Sequence, residues 1–256
     1  MKVAICFYGL VGSCEKKYGV GKSLDPKIAL KYYKKNIFKY IKDYDVFIHS
    51  QSIEHKKILK KMYSPKQVLF EKRKNFFFKV ILNLKFLKSI LASLITGSSL
   101  SRKYKRSFSN YSRWYSTKKT LELKKKFEKE NNIKYDLVLL TRLDWAFLTP
   151  FKMNKAMIKK FTISNYNEVP SPRNNYKVKI KKNNLTFNKG LADYWFIASS
   201  KTMDNFSKLY DKIENYDLSP HVCALQHAKS LKVIFNFYKF RGLDHEAVRR
   251  IKFSKE

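Results

Sequence analysis

Lys2-Val3-Ala4-Ile5-Cys6-Phe7-Tyr8-Gly9 opens the chain with a short apolar run that halts at a glycine, as a buried β-strand does. Asp25-Pro26 next supplies a helix start, with Asp as N-cap and Pro at the first helical position. From Pro26 to Lys42 the residues Ile28, Leu30, Tyr33, Ile37, Phe38 and Ile41 recur at helical spacing. Tyr44-Asp45-Val46-Phe47-Ile48-His49 reads as a second strand, residues 53–62 as a helix and residues 66–70 as a third strand. Strand, helix, strand, helix, strand is the order of a parallel sheet with right-handed crossovers. The expected fold is α/β. It is a single Rossmann-like, mostly parallel sheet flanked by helices, one domain over residues 1–256.

Size and composition agree with a folded domain. A chain of 256 residues can bury a sizeable core, and 44% hydrophobic with 16% aromatic residues excludes a disordered polypeptide. The formal net charge is +35, from 55 Lys and Arg against 20 Asp and Glu. Such an excess repels itself unless polyanions lie nearby, which points to nucleic acid, anionic lipid or a phosphorylated substrate. Cys6, Cys14 and Cys223 have no CxxC spacing, so neither a disulfide framework nor a structural zinc site is expected. The amino-terminal apolar run is too short for a signal-peptide core, and a cytoplasmic protein is expected.

Residues 71–131 form a basic, helical insertion. Between Phe76 and Thr96, Lys79, Asn83, Lys85, Ser89 and Ser93 fall on one side of a helix, with Lys88 near the edge. Phe77, Val80, Leu84, Leu87, Leu91 and Ile95 fall on the other. Three lysines near the middle disfavour a membrane-spanning helix. Two readings stay open: a helix facing the core, or an amphipathic helix lying in the headgroup region. The cationic flank from Ser101 to Arg106 favours the second and places the protein peripherally on the inner face of the membrane. A Lys-rich helix is expected from Trp114 to about Asn131.

Leu137-Val138-Leu139-Leu140 is the clearest buried strand, and it runs directly into Thr141-Arg142-Leu143-Asp144-Trp145. Residues 165–190, with two prolines and several asparagines, read as a mobile loop. Asp193 to Ala198 is a further strand, helices flank Pro220, and a last strand lies near Val233–Tyr238.

Ligands of open α/β sheets bind beyond the carboxyl ends of the strands. The Gly9–Gly21 loop lies at such an end. Its Gly19-Val20-Gly21-Lys22-Ser23 imitates a phosphate-binding P-loop, but Lys16 stands where that pattern needs glycine and the strand ends well before it. Backbone amides near Gly9 and the Lys22 ammonium can still approach a diphosphate; an ordinary surface loop is the alternative. Arg142 and Asp144 alternate on one side of a strand end. They read either as a phosphate-binding pair, with Asp144 holding Mn2+ or Mg2+, or as a structural ion pair. Asp193 and His221 are candidate catalytic bases, and His49 is a candidate donor contact at the end of the second strand. Trp145, Tyr194 and Trp195 are either sugar-stacking or core residues.

The pieces Lys2–Gly9, Asp45-Val46-Phe47-Ile48-His49, Tyr135–Asp144 and Ala192–Ala198, before a helix with Met203, carry a resemblance. They resemble bacterial and giant-virus glycosyltransferases of surface-polysaccharide clusters, related to the GT-A type nucleotide-diphospho-sugar transferases. The resemblance implies a nucleotide-sugar pocket over the end of the first strand. It also implies that Arg142 and Asp144 stand where that family has its metal-binding Asp-x-Asp motif. With Arg142 in place of the first carboxylate, diphosphate neutralisation by the guanidinium or by a metal ion are both open. The expected function is transfer of a sugar from a nucleotide sugar to a glycan or lipid-linked acceptor at an anionic membrane surface. The alternatives are a basic nucleic-acid-binding protein and another phosphate-donor transferase, the former weakened by the lack of any reader motif.

Overall fold

A computed structural model describes residues 1–13, 23–97, 99–165 and 190–251. Lys22, Cys14, the remaining glycines of the P-loop-like segment and nearly all of the expected 165–190 loop lie outside the described residues.

The strand β1 (Lys2–Gly9) lies inside the sheet, paired in parallel with β2 (Asp43–Ser50) on one side and with the central β4 (Leu137–Arg142) on the other. Beyond β2 lies β3 (Gln67–Phe70), also parallel. Beyond β4 the order continues with β7 (Trp195–Ala198), β6 (Phe161–Asn165) and β8 (Phe235–Phe240). Of these, β7 runs antiparallel to both its neighbours, so the seven-stranded sheet is mixed but mostly parallel. The short strands β5 (Trp145–Phe147) and β9 (His245–Ala247) pair separately as a two-stranded ribbon.

The central strands read as unbroken apolar runs because both of their faces are covered. Val3, Ile5 and Phe7 of β1 enter one core with Leu137 and Leu139 of β4, while Ala4, Cys6 and Tyr8 enter the opposite core with Val138 and Leu140. The first core is capped by α1 (Pro26–Asn36), whose Tyr33 packs edge-on to Phe7, and by α2 (Lys56–Tyr63). Asp25 caps α1 as expected, its carboxylate accepting from the Lys27 amide at 2.9 Å. The second core is covered by α5 (Leu100–Glu130), α6 (Ser200–Phe206) and α7 (Pro220–Ser230).

Segment 71–131 is helical as expected but differs in plan. The stretch 76–96 is two helices, α3 (Phe77–Ile81) and α4 (Leu84–Thr96), divided where Asn83 caps α4 by accepting from the Lys85 and Phe86 amides. Helix α5 begins at Leu100 rather than Trp114, with Ser99 as its N-cap. Its carboxyl half, bearing Trp114 and Leu121, is a crossover helix of the core, so only the amino half of the segment stands apart from the sheet.

One buried polar cluster sits under the sheet. Lys124 is fully buried on α5, and its ammonium donates to Glu128 (2.8 Å), Asp204 (2.6 Å) and Ser200 (2.5 Å). Complete pairing is what makes such a charge tolerable in an apolar interior.

Candidate active site

A cavity of about 530 Å³ opens beyond the carboxyl ends of β1 and β4, where open α/β sheets place their ligands. Tyr8 and Gly9 from β1, Gln51 from the end of β2, and Arg142 and Asp144 from the end of β4 form one wall. Lys105, Ser109, Ser112, Arg113 and Ser116 of α5 form the facing wall, and Arg249 closes it from a turn near the carboxyl terminus. Arg142, Asp144 and Gly9 are thus brought together, as the sequence indicated.

Arg142 donates through Nε to Asp144 Oδ1 at 2.8 Å and through Nη2 to Oδ2 at 2.6 Å, a two-pronged ion pair. Burial works against the guanidinium charge, but the adjoining carboxylate offsets it and holds the Arg142 pKa above its ordinary value. Tyr33 fixes this strand end by donating to the Arg142 carbonyl at 2.9 Å. Gly12 lies against Asp144 with φ of +96°, and a Cβ there would stand 2.8 Å from the Asp144 Cβ. The chain therefore needs glycine at that point.

The wall behind Gly9 is a relay of small polar groups. The Gly9 amide donates to Ser116 Oγ (2.9 Å), Ser116 Oγ lies 2.6 Å from His49 Nδ1, and His49 Nε2 lies 2.9 Å from Glu71. Ser116 donating to Nδ1 and Nε2–H donating to Glu71 satisfies every atom with a neutral imidazole. Burial lowers the His49 pKa in the same sense. His49 is fully buried and stands behind Ser116 rather than on the cavity wall, so it is placed to position the wall, not to touch a donor.

The two residues named as candidate bases meet each other: His221 Nδ1 lies 3.3 Å from Asp193 Oδ1. Neither is among the cavity-lining residues. Asp193 is buried and ion-paired to Arg113, while Tyr8 donates to its backbone carbonyl at 3.1 Å. His221 Nδ1 donates to the Leu191 carbonyl at 2.9 Å. Buried behind the wall and paired with a guanidinium, Asp193 is placed to orient Arg113. The aromatic candidates are also accounted for within the fold. Trp145 is buried and stacks on Tyr194 at 4.4 Å, and Trp195 is fully buried.

Charge decides what the cavity can hold. Arg142 is matched by Asp144 and Arg113 by Asp193, but Arg249 has no carboxylate within ion-pair reach among the described residues. Burial lowers the Arg249 pKa, and repulsion from Arg142 adds to that. A cavity whose wall carries an uncompensated guanidinium, with Arg73 and Lys105 beside it, favours an anionic occupant.

A divalent cation fits this arrangement poorly. Among the described residues no three His, Cys, Asp or Glu side chains converge. Among the described residues Asp144 is the only carboxylate lining the cavity, and Arg142 engages both its oxygens.

Arg113, Arg249, Gln51 and Ser116 were not singled out from sequence. One signal was present: Lys105, Ser109, Ser112 and Ser116 recur at helical spacing, a small polar stripe amid aromatic residues. Arg249 left no local signal, since its place depends on a distant turn meeting β4. No protein-family model matches the chain, and no curated protein matches it in sequence.

Proposed function

We propose that the chain is a glycosyltransferase of the GT-A type that draws a sugar from a nucleotide-sugar donor and passes it to a glycan or lipid-linked hydroxyl. The observation that carries this reading is the guanidinium pair Arg142 and Arg249 facing one cavity at the end of the central strands. In the reaction the acceptor oxygen forms a bond to the anomeric carbon as the bond from that carbon to the diphosphate oxygen breaks. The electron pair leaves with the nucleoside diphosphate, and the acceptor proton goes to a base or to solvent. Arg142, oriented by Asp144, and Arg249 meet the charge that develops on the departing diphosphate. Arg113 is oriented from behind by Asp193 and adds a third positive group. The cavity volume of about 530 Å³ is in the range of small-ligand sites.

On this reading the diphosphate is neutralised by arginine rather than by a resident metal ion. A thermal-shift screen against nucleotide sugars, with and without Mn2+, tests it. Stabilisation by at least one nucleotide sugar, retained after chelation, is expected; a panel without any stabilising member would refute the assignment.

A further inference from the structure

The outward surface of α4 is apolar where a water-facing helix is ordinarily polar. Leu84, Leu87, Leu91, Leu94 and Ile95 share one stripe at helical spacing, and all are exposed. Ile95 is 87% exposed, while Ser93 on the opposite side is 4% exposed. The orientation is fixed rather than accidental. Asn83 donates to the Tyr111 hydroxyl at 3.0 Å, and Lys103 of α5 donates to Ser93 at 2.6 Å and to the Ser89 carbonyl at 3.0 Å. Phe86 anchors the buried side. Phe78 and Leu82, each 72% exposed, extend the apolar surface into α3 and its turn.

The electrostatic setting selects the occupant. From Lys72 to Leu121 the chain contains no Asp or Glu. Lys88 of α4 and Arg102, Lys105 and Arg106 at the start of α5 are exposed, whereas Lys79 and Lys85 turn to the Tyr210 hydroxyl and the Tyr216 carbonyl. A second copy with the same net charge of +35 would be repelled. An apolar face on a segment whose charged residues are all cations is complementary to a bilayer whose headgroups are anionic. Spanning is not what the helices offer, since no helix among the described residues is long and apolar enough to cross a membrane.

We infer that the α3–α4 hairpin is a docking surface for an anionic lipid bilayer, with the α4 stripe lying in the headgroup region and the lysines and arginines beside it on the phosphates. The hairpin packs on the same part of α5 that walls the cavity. Phe86 and Phe77 contact Tyr104, Phe76 contacts Phe108, and both Tyr104 and Phe108 line the cavity. Docking therefore sets the cavity beside the membrane surface. The docking claim stands apart from the transferase reading.

The test is co-flotation of the full chain with vesicles of equimolar phosphatidylcholine and phosphatidylglycerol, compared with pure phosphatidylcholine. The chain should float with the anionic vesicles far more than with the zwitterionic ones. A triple variant, Leu84→Ser, Leu91→Ser and Ile95→Ser, should lose roughly tenfold or more of that affinity, since the lost burial is several kcal-scale contacts. Its melting temperature should not fall, because these side chains face outward. A variant that keeps the apolar stripe but removes exposed cations beside it, Lys88→Gln, Arg102→Gln and Arg106→Gln, should lose the preference for anionic lipid. The inference is overturned if the native chain ignores anionic vesicles, or if the stable triple-serine variant binds them as tightly as the native chain. It is equally overturned if the stripe instead closes a dimer that blocks vesicle binding. Nucleotide-sugar stabilisation measured on the triple-serine variant should match the native chain, which separates failure of docking from failure of the cavity assignment.

Discussion

Arg142 and Asp144 face each other across a single intervening residue, the guanidinium fork closing on both carboxylate oxygens at 2.8 and 2.6 Å. The pair is both an ion pair and part of the cavity wall, so Asp144 acts as the orienting group for a cation that faces the cavity. Arg142→Lys should therefore behave unlike a conservative change. A lysine retains the charge but cannot form the fork. Nucleotide-sugar affinity measured by calorimetry should fall roughly tenfold or more, in line with loss of a charge-assisted hydrogen bond worth about 1.5–3 kcal/mol.

Glycines 9 and 12 predict a contrast. Both have positive φ, +94° and +96°, but a Cβ at Gly9 meets nothing within 4 Å while one at Gly12 runs into Asp144. Gly9→Ala should cost only backbone strain, on the order of 1 kcal/mol. Gly12→Ala should cost more and should also weaken donor binding, because Asp144 must move. Chemical denaturation beside ligand titration on the two variants separates these effects.

Lys124 is the side chain whose loss should most disturb stability. Truncation by Lys124→Met takes the buried cation from Glu128 and Asp204 and leaves them the exposed Lys134 ammonium at 3.3 and 3.6 Å; breaking such a buried pair costs up to about 3–5 kcal/mol. Urea unfolding should register that loss. A variant as stable as the native chain would show that the cluster is hydrated or rearranged.

Stability should fall as the solution is acidified below about pH 6.5, the ordinary histidine value. His245 is buried, its Nδ1 accepting from Trp145 Nε1–H at 3.2 Å and its Nε2 lying 2.8 Å from Ser164. Burial depresses its pKa to about 3, and burial also lowers those of His49 and His227. The unfolded chain binds protons at these sites between pH 6.5 and pH 3 while the folded chain does not bind one at His245. Unfolding free energy therefore decreases with falling pH, by up to about 1.4 kcal/mol per pH unit for each such histidine. Replacing His245 by Asn should remove about one proton's share of the slope between pH 6.5 and pH 5, above the range where carboxylates titrate.

The parts of the fold legible in sequence were those whose burial is two-sided. Lys2–Gly9 and Leu137–Leu140 announce themselves because both faces of β1 and β4 are covered, leaving no polar alternation to blur them. By contrast, β5, β6 and β9 are short and owe their pairing to distant segments, and the reversed direction of β7 is a tertiary fact that composition does not encode. The two faces of the α4 helix could be drawn from its spacing, but not which of them turns outward; that follows from Asn83 and Lys103 tying the polar face to α5. In the site, Arg142, Asp144 and Gly9 were legible because a strand end delivers them. His49, Asp193 and His221 lie one layer further back, since strand position tells the direction of a side chain but not what stands in front of it.

Arg249 offers the most direct test of the account. It lines the cavity and has no carboxylate partner among the described residues, so Arg249→Gln should leave the fold intact or slightly more stable. Calorimetric titration of a nucleotide sugar and its nucleoside diphosphate, in the presence of a chelator, should show binding to the native chain and a roughly tenfold to hundredfold loss in the variant. Native and Arg249→Gln chains that bind these ligands equally well, or not at all, would contradict a diphosphate-holding cavity at the end of β4.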